Sequence, residues 1–130
     1  MNYVFDGSYQ GFLCCVFECF EMKEWHAVPV AEGLFQSDIF LPERTIFTDV
    51  DKAQRIQKGL KSKFGKSLTD DIYRAFLSED PLAWQAAYYI MVRLFQGQTD
   101  VLENFGDTQV LYFHQTLKKV SRERHRMKAF

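Results

Sequence analysis

No apolar run in this chain is long enough to cross a membrane: the longest, Gly11 to Phe17, falls far short of the roughly 20 residues a spanning helix needs. No lysine or arginine precedes Lys23, and Asp6 stands near the start, so the opening does not read as a secretory signal. Proline is scarce, at three residues, and with 47% hydrophobic and 16% aromatic content that excludes a disordered or fibrous chain. Cysteine is scarce too. Cys14, Cys15 and Cys19 are odd in number and crowded into one short stretch, where neighbours do not build a disulfide framework, so a reducing, cytoplasmic setting is expected. A Gly-rich phosphate loop, an HExxH pair and a Gly-x-Ser-x-Gly elbow are all missing.

What is present is enough material for a core. A chain of 130 residues is one domain by length, and at that size roughly two-thirds of the unfolded surface can be buried. The thirteen phenylalanines are expected mostly inside, with a few left for a partner surface.

The pattern along the chain is largely helical. Tyr3-Val4-Phe5 is β-prone and ends at the turn Asp6-Gly7-Ser8, which also offers a helix cap. A first helix follows from about Tyr9 to Met22, with Phe12, Cys15, Val16, Cys19 and Phe20 on one face. Gly11 inside it costs roughly 1 kcal/mol against alanine and is expected to permit a close backbone approach. Residues 24–44 are irregular, with Ile39-Phe40-Leu41 as a short strand; Thr45–Val50 (TIFTDV) reads as the best strand in the chain. Asp49 or Asp51 then caps a second helix through Phe64, its inner stripe Ala53, Ile56, Leu60 and Phe64. A third helix runs from about Thr69 to Leu77, capped by Ser67 or Thr69, with Ile72, Phe76 and Leu77 inward. Asp80-Pro81 opens a fourth, Leu82–Gln96, apolar nearly all round and therefore expected to be buried. A short helical piece over 100–105 precedes the last helix, Asp107–Phe130, striped by Val110, Phe113, Leu117, Val120 and Met127. The fold class is thus α+β and mostly helical, about five helices with a small two- or three-stranded sheet.

No catalytic constellation is recognisable. Cys15 and Cys19 share a helix face and could supply two metal ligands, with His26 or His114 as a distant third, but buried cysteines on a Phe-rich face are ordinary packing residues. A radical-SAM spacing would need a cysteine where Met22 stands. The paired carboxylates Asp49/Asp51 and Asp70/Asp71 lie where helices are expected to begin, so capping explains them. No metal and no cofactor is expected.

Charge is the most distinctive feature. Residues 117–130 hold six positive side chains against the single Glu123, a local +5, so a net charge of −1 leaves −6 on residues 1–116. On a helix, Lys118, Arg122 and His125 form one stripe and Lys119, Arg122 and Arg126 the next, a cationic ridge about three turns long. Such a ridge suits phosphates; it also suits a solvated helix end beside an acidic body.

The opening Tyr3-Val4-Phe5-Asp6-Gly7-Ser8 with Gly11-Phe12-Leu13, and the closing Glu123-x-His125-Arg126-Met127-Lys128-Ala129-Phe130, resemble a bacterial family of DNA-metabolism proteins of unknown biochemical activity. The layout is similar over the whole length. The family is typically encoded beside a radical-SAM protein of DNA modification or repair, and in some members the domain is fused to a uracil-DNA glycosylase. The resemblance implies an accessory protein in DNA repair or modification, with DNA, a radical-SAM protein or a uracil-DNA glycosylase domain as partner and no membrane. It also implies that residues 1–130 are the N-terminal part of a longer family domain. Asp6, Gly7, Glu123, His125 and Arg126 are its motif residues, without an assigned role. Lys118, Lys119, Arg122 and Arg126 are the expected nucleic-acid contacts. The alternative is a protein-interaction module that docks the radical-SAM or glycosylase partner and binds no DNA itself.

Overall fold

Alternation in the first residues sets the sheet. In β1 (Asn2–Phe5), Tyr3 and Phe5 point into the interior while Asn2 and Val4 stay half-exposed, as a strand with one covered face requires. The computed structural model describes residues 1–34 and 42–128, with side chains to Glu123. Among these, β1 lies between β2 (Val28–Ala31) and β3 (Glu43–Thr45), and both neighbours run parallel to it. Five α-helices complete a mostly helical α+β fold. The chain divides into two compact units, 1–69 and 70–130.

In the first unit, α1 (Tyr9–Met22) starts at Ser8, whose hydroxyl accepts the Gly11 N–H at 3.0 Å, and ends where Lys23 turns left-handed. It packs against β1 and against α2 (Val50–Phe64). That double contact explains why Leu13, Cys14 and Cys15, on adjoining faces, are all buried. Asp49 caps α2, accepting from the amides of Asp51 (2.9 Å) and Lys52 (3.3 Å). The Cys14 thiol binds the Asp49 backbone, donating to its carbonyl at 3.3 Å and accepting its N–H at 3.4 Å. Across the sheet, Tyr3 donates to Glu24 Oε1 at 2.6 Å, and Arg44 holds Oε2 at 3.0 Å. Burial, then the Glu24 bond, push the Tyr3 phenol far above its ordinary pKa.

The expected strand Thr45–Val50 is corrected. Only Thr45 belongs to β3; the ladder ends with the Ile46 N–H donating to Val4 O at 2.8 Å, because β1 stops at Phe5 and leaves nothing to pair with. Residues 28–31, inside the stretch read as irregular, form a strand despite Pro29. The Val28 N–H points to β1 (3.0 Å to Met1 O), so Pro29 takes the outward position of an edge strand, where no donor is required. The strand expected at 39–41 lies outside the described residues. The inner stripe of α2 is only partly covered: Ala53 and Leu60 are buried, Ile56 and Phe64 half-buried.

The boundary between the units falls inside α3 (Lys66–Leu77), which starts earlier than expected. Thr69 does not cap it: its hydroxyl donates back to Gly65 O at 2.9 Å, the bond of a threonine already one turn in. Asp70 and Asp71 therefore sit within the helix rather than at its start, and Asp71 lies 3.6 Å from Arg74. Leu77, expected inward, is 54% exposed, while Ile72, Ala75 and Phe76 take the inner face. In the second unit, α4 (Pro81–Phe95) is capped by Asp80, which accepts the Leu82 N–H at 2.9 Å. It buries residues around most of its circumference, from Ala83 and Trp84 to Val92 and Leu94, as its all-round apolarity predicts. Trp84 stacks on Phe76, ring centroids 4.9 Å apart, and donates its indole N–H to Phe76 O at 2.7 Å. A 3-10 turn (Val101–Glu103) leads to α5 (Thr108–Lys128), which packs on α4 through the buried Val110 and Phe113. No helix among the described residues is long and apolar enough to cross a membrane.

Candidate nucleic-acid interface

The buried positions of α5 fix where its charges go. Val110, Phe113 and Thr116 are buried, and Leu117 and Val120 half-buried. That leaves Lys118, Lys119, Arg122 and Glu123 exposed. None of the three cations pairs with a carboxylate among the described residues. The backbone stays helical through Lys128, carrying His125, Arg126 and Met127, whose side chains lie outside the described residues.

One flank of this basic face is a cleft of about 230 Å³ between the α3–α4 turn and α5. Ser78 and Asp80 form one wall; Tyr112, Gln115, Lys119 and Glu123, successive turns of α5, form the other. The Tyr112 hydroxyl donates to Asp80 Oδ2, and this bond is the main cause of a raised Tyr112 pKa. Asp80 thus serves two elements, its other oxygen capping α4. Asp80, Tyr112 and Gln115 were not legible in the sequence as cleft residues, Asp80 standing out only as the start of α4. The only signal was the three- and four-residue spacing of polar side chains from 112 to 123, and Asp80 is 32 residues away from the tyrosine it meets.

The other motif residues, Asp6 and Gly7, lie in the first unit. Gly7 adopts φ +87°, a left-handed turn that suits glycine. Asp6 Oδ1 accepts the Ser8 amide (2.9 Å) and hydroxyl (2.6 Å), and Oδ2 accepts the Thr48 hydroxyl (2.8 Å). These donors, the Ser8 hydroxyl first, hold the carboxyl below its ordinary pKa against the opposing effect of burial. Gly11 does serve a close approach, but of side chains: a Cβ there would lie 2.5 Å from Asp6 Oδ1 and 2.9 Å from Thr48 Oγ1. A second cleft, about 250 Å³, opens beside this turn at the carboxyl ends of β1 and β3 and includes Phe47, 82% exposed.

His114 and the thiols have other employment. The His114 Nε2 sits 3.0 Å from Leu102 O, and its ring lies against Phe105. Cys14, Cys15 and Cys19 are buried and in no disulfide among the described residues, and burial raises the Cys15 thiol well above its ordinary pKa. No group of three His, Cys, Asp or Glu among the described residues could hold a metal ion.

No curated protein and no solved structure matches this chain. Over residues 81–130, which comprise α4, the 3-10 turn and α5, the chain is similar to the family model of a domain of unknown function, DUF4130.

Proposed function

We propose that this chain is an accessory protein in DNA repair or modification whose C-terminal helix lies along a nucleic-acid backbone. The observation that carries the proposal is the exposed set Lys118, Lys119 and Arg122, without carboxylate partners among the described residues, in a chain whose first 116 residues sum to −6. The role in DNA metabolism rests on the resemblance of the two end motifs. Cations that project on adjoining stripes of one helix meet phosphates without reading bases, which gives positioning rather than sequence specificity. A second reading, a module that docks a radical-SAM or glycosylase partner, draws on the exposed Leu77 and Leu82, at 54% and 56%.

Fluorescence anisotropy of labelled single- and double-stranded DNA separates the two. Three phosphate contacts give a log–log salt slope of about −2 on single strands and about −2.7 on duplex, a roughly 20- to 40-fold loss of affinity from 50 to 200 mM salt. Lys118→Glu with Arg122→Glu should abolish most of that slope. Absence of binding at 50 mM salt would remove the nucleic-acid reading and leave the docking module.

A further inference from the structure

The basic face and the cleft share Lys119 but differ in chemistry. The face offers cations alone. Within the cleft the hydroxyl protons are already committed: Tyr112 to Asp80, Ser78 to Ala75 O at 2.6 Å, and Thr116 to Tyr112 O at 2.9 Å. The cleft groups without a partner among the described residues are the Gln115 amide, the Lys119 ammonium and the Glu123 carboxylate, along one side of α5. Together they line the cleft with donors and acceptors, beside the Tyr112 ring and the apolar Val120. A phosphate does not suit this site, because Asp80 and Glu123 would repel it. At about 230 Å³ the cleft falls below the range of roughly 300–1,000 Å³ that holds drug-sized ligands, so it fits one ring-sized group.

We propose that this cleft receives a single unstacked nucleobase from a strand lying on the basic face, with Gln115 and Glu123 reading the base edge. This rests on the reading of that face as a nucleic-acid contact. Nucleobase edges carry the same mixture of donors and acceptors, and a base must leave the stack to reach such a site, so single strands are preferred. A carboxylate accepts from an exocyclic amine, and a side-chain amide pairs with adenine; thymine has no exocyclic amine to give. The ligand class is therefore an amino-bearing base, adenine, cytosine or guanine, and it excludes thymine.

The test uses the whole chain and four labelled single strands of equal length: oligo-dA, oligo-dC, oligo-dT and an abasic sugar-phosphate strand. The dA or dC strand should bind about five-fold or more tighter than dT and the abasic strand. Gln115→Ala with Glu123→Ala should erase that preference and leave the salt slope unchanged. Equal binding of all four strands, or a preference that survives the double substitution, overturns the cleft and spares the basic face. Binding of none of them overturns the basic face. A second titration then decides the cleft, with adenosine and cytidine added to isotopically labelled protein while the Gln115 side-chain amide resonances are followed. Shifts at Gln115 support the site, and unmoved resonances at millimolar nucleoside overturn it.

Discussion

Gly11→Ala asks whether the Asp6 turn is a built structure or a passive loop. On an isolated helix the substitution stabilises by about 1 kcal/mol. Here the new Cβ would stand 2.5 Å from Asp6 Oδ1, 2.9 Å from Thr48 Oγ1 and 3.1 Å from Ser8 Oγ. All three are side-chain ends that can swing aside, so the cost is not that of a rigid clash. It is what the swing breaks: three hydrogen bonds to the Asp6 carboxylate, and the Ser8 cap that the carboxylate orients. A lost serine cap costs about 1 kcal/mol, and disrupted bonds to a largely exposed carboxylate about 1–2 kcal/mol more. Against the helix-propensity gain, the net destabilisation is about 1–2 kcal/mol, a fall of roughly 3–8 °C in Tm for a chain of this size. Urea and thermal unfolding followed by circular dichroism measure it on the parent, Gly11→Ala, Asp6→Ala and the double variant. Because Asp6→Ala removes the atom nearest the new Cβ, the double variant should lose about 1 kcal/mol less than the sum of the singles. A Gly11→Ala protein as stable as the parent, or additivity within about 0.3 kcal/mol, would refute the reasoning.

The same carboxylate sets an acid limb. Asp6 titrates below its unfolded value of about 3.9, so its contribution is whole above about pH 4 and is lost as pH falls through the lower folded value. Asp6→Asn should therefore flatten the decline of the urea midpoint between pH 5 and pH 2; an unchanged slope would show that the turn does not depend on the charge. The three cysteines, all at most 2% exposed, should react with a thiol reagent only on unfolding: close to none in native buffer and three per chain in urea.

Local signals carried most of the helices. Ser8, Asp49 and Asp80 announce α1, α2 and α4 because a capping side chain bonds an amide two or three residues on, within reach of inspection. The failures share a non-local cause. TIFTDV has the alternation of a strand, but β1 ends before residues 47–50 can pair; Val28–Ala31 is a strand only because β1 lies beside it. Leu77 fits a helical stripe, but Phe76, stacked on Trp84, takes the inner position and Leu77 stays exposed. The basic face was legible because charge is additive along a helix. The cleft was not, since Asp80 meets Tyr112 by folding; nor was the distant partner of Asp6, Thr48, at a separation of 42 residues.

The central place of β1 has a consequence for synthesis. The register ties Asn2 to Val28 on one side and to Glu43 on the other. During synthesis β1 emerges before both of its partners, so the strand that organises the sheet is the last to be satisfied. Until residue 45 or so has left the exit tunnel, an extended apolar segment bearing Tyr3 and Phe5 waits with both backbone edges open. Such an edge is a template for the wrong partner. α1 follows β1 directly in the chain and packs against it, so in the folded unit it covers one face of that strand.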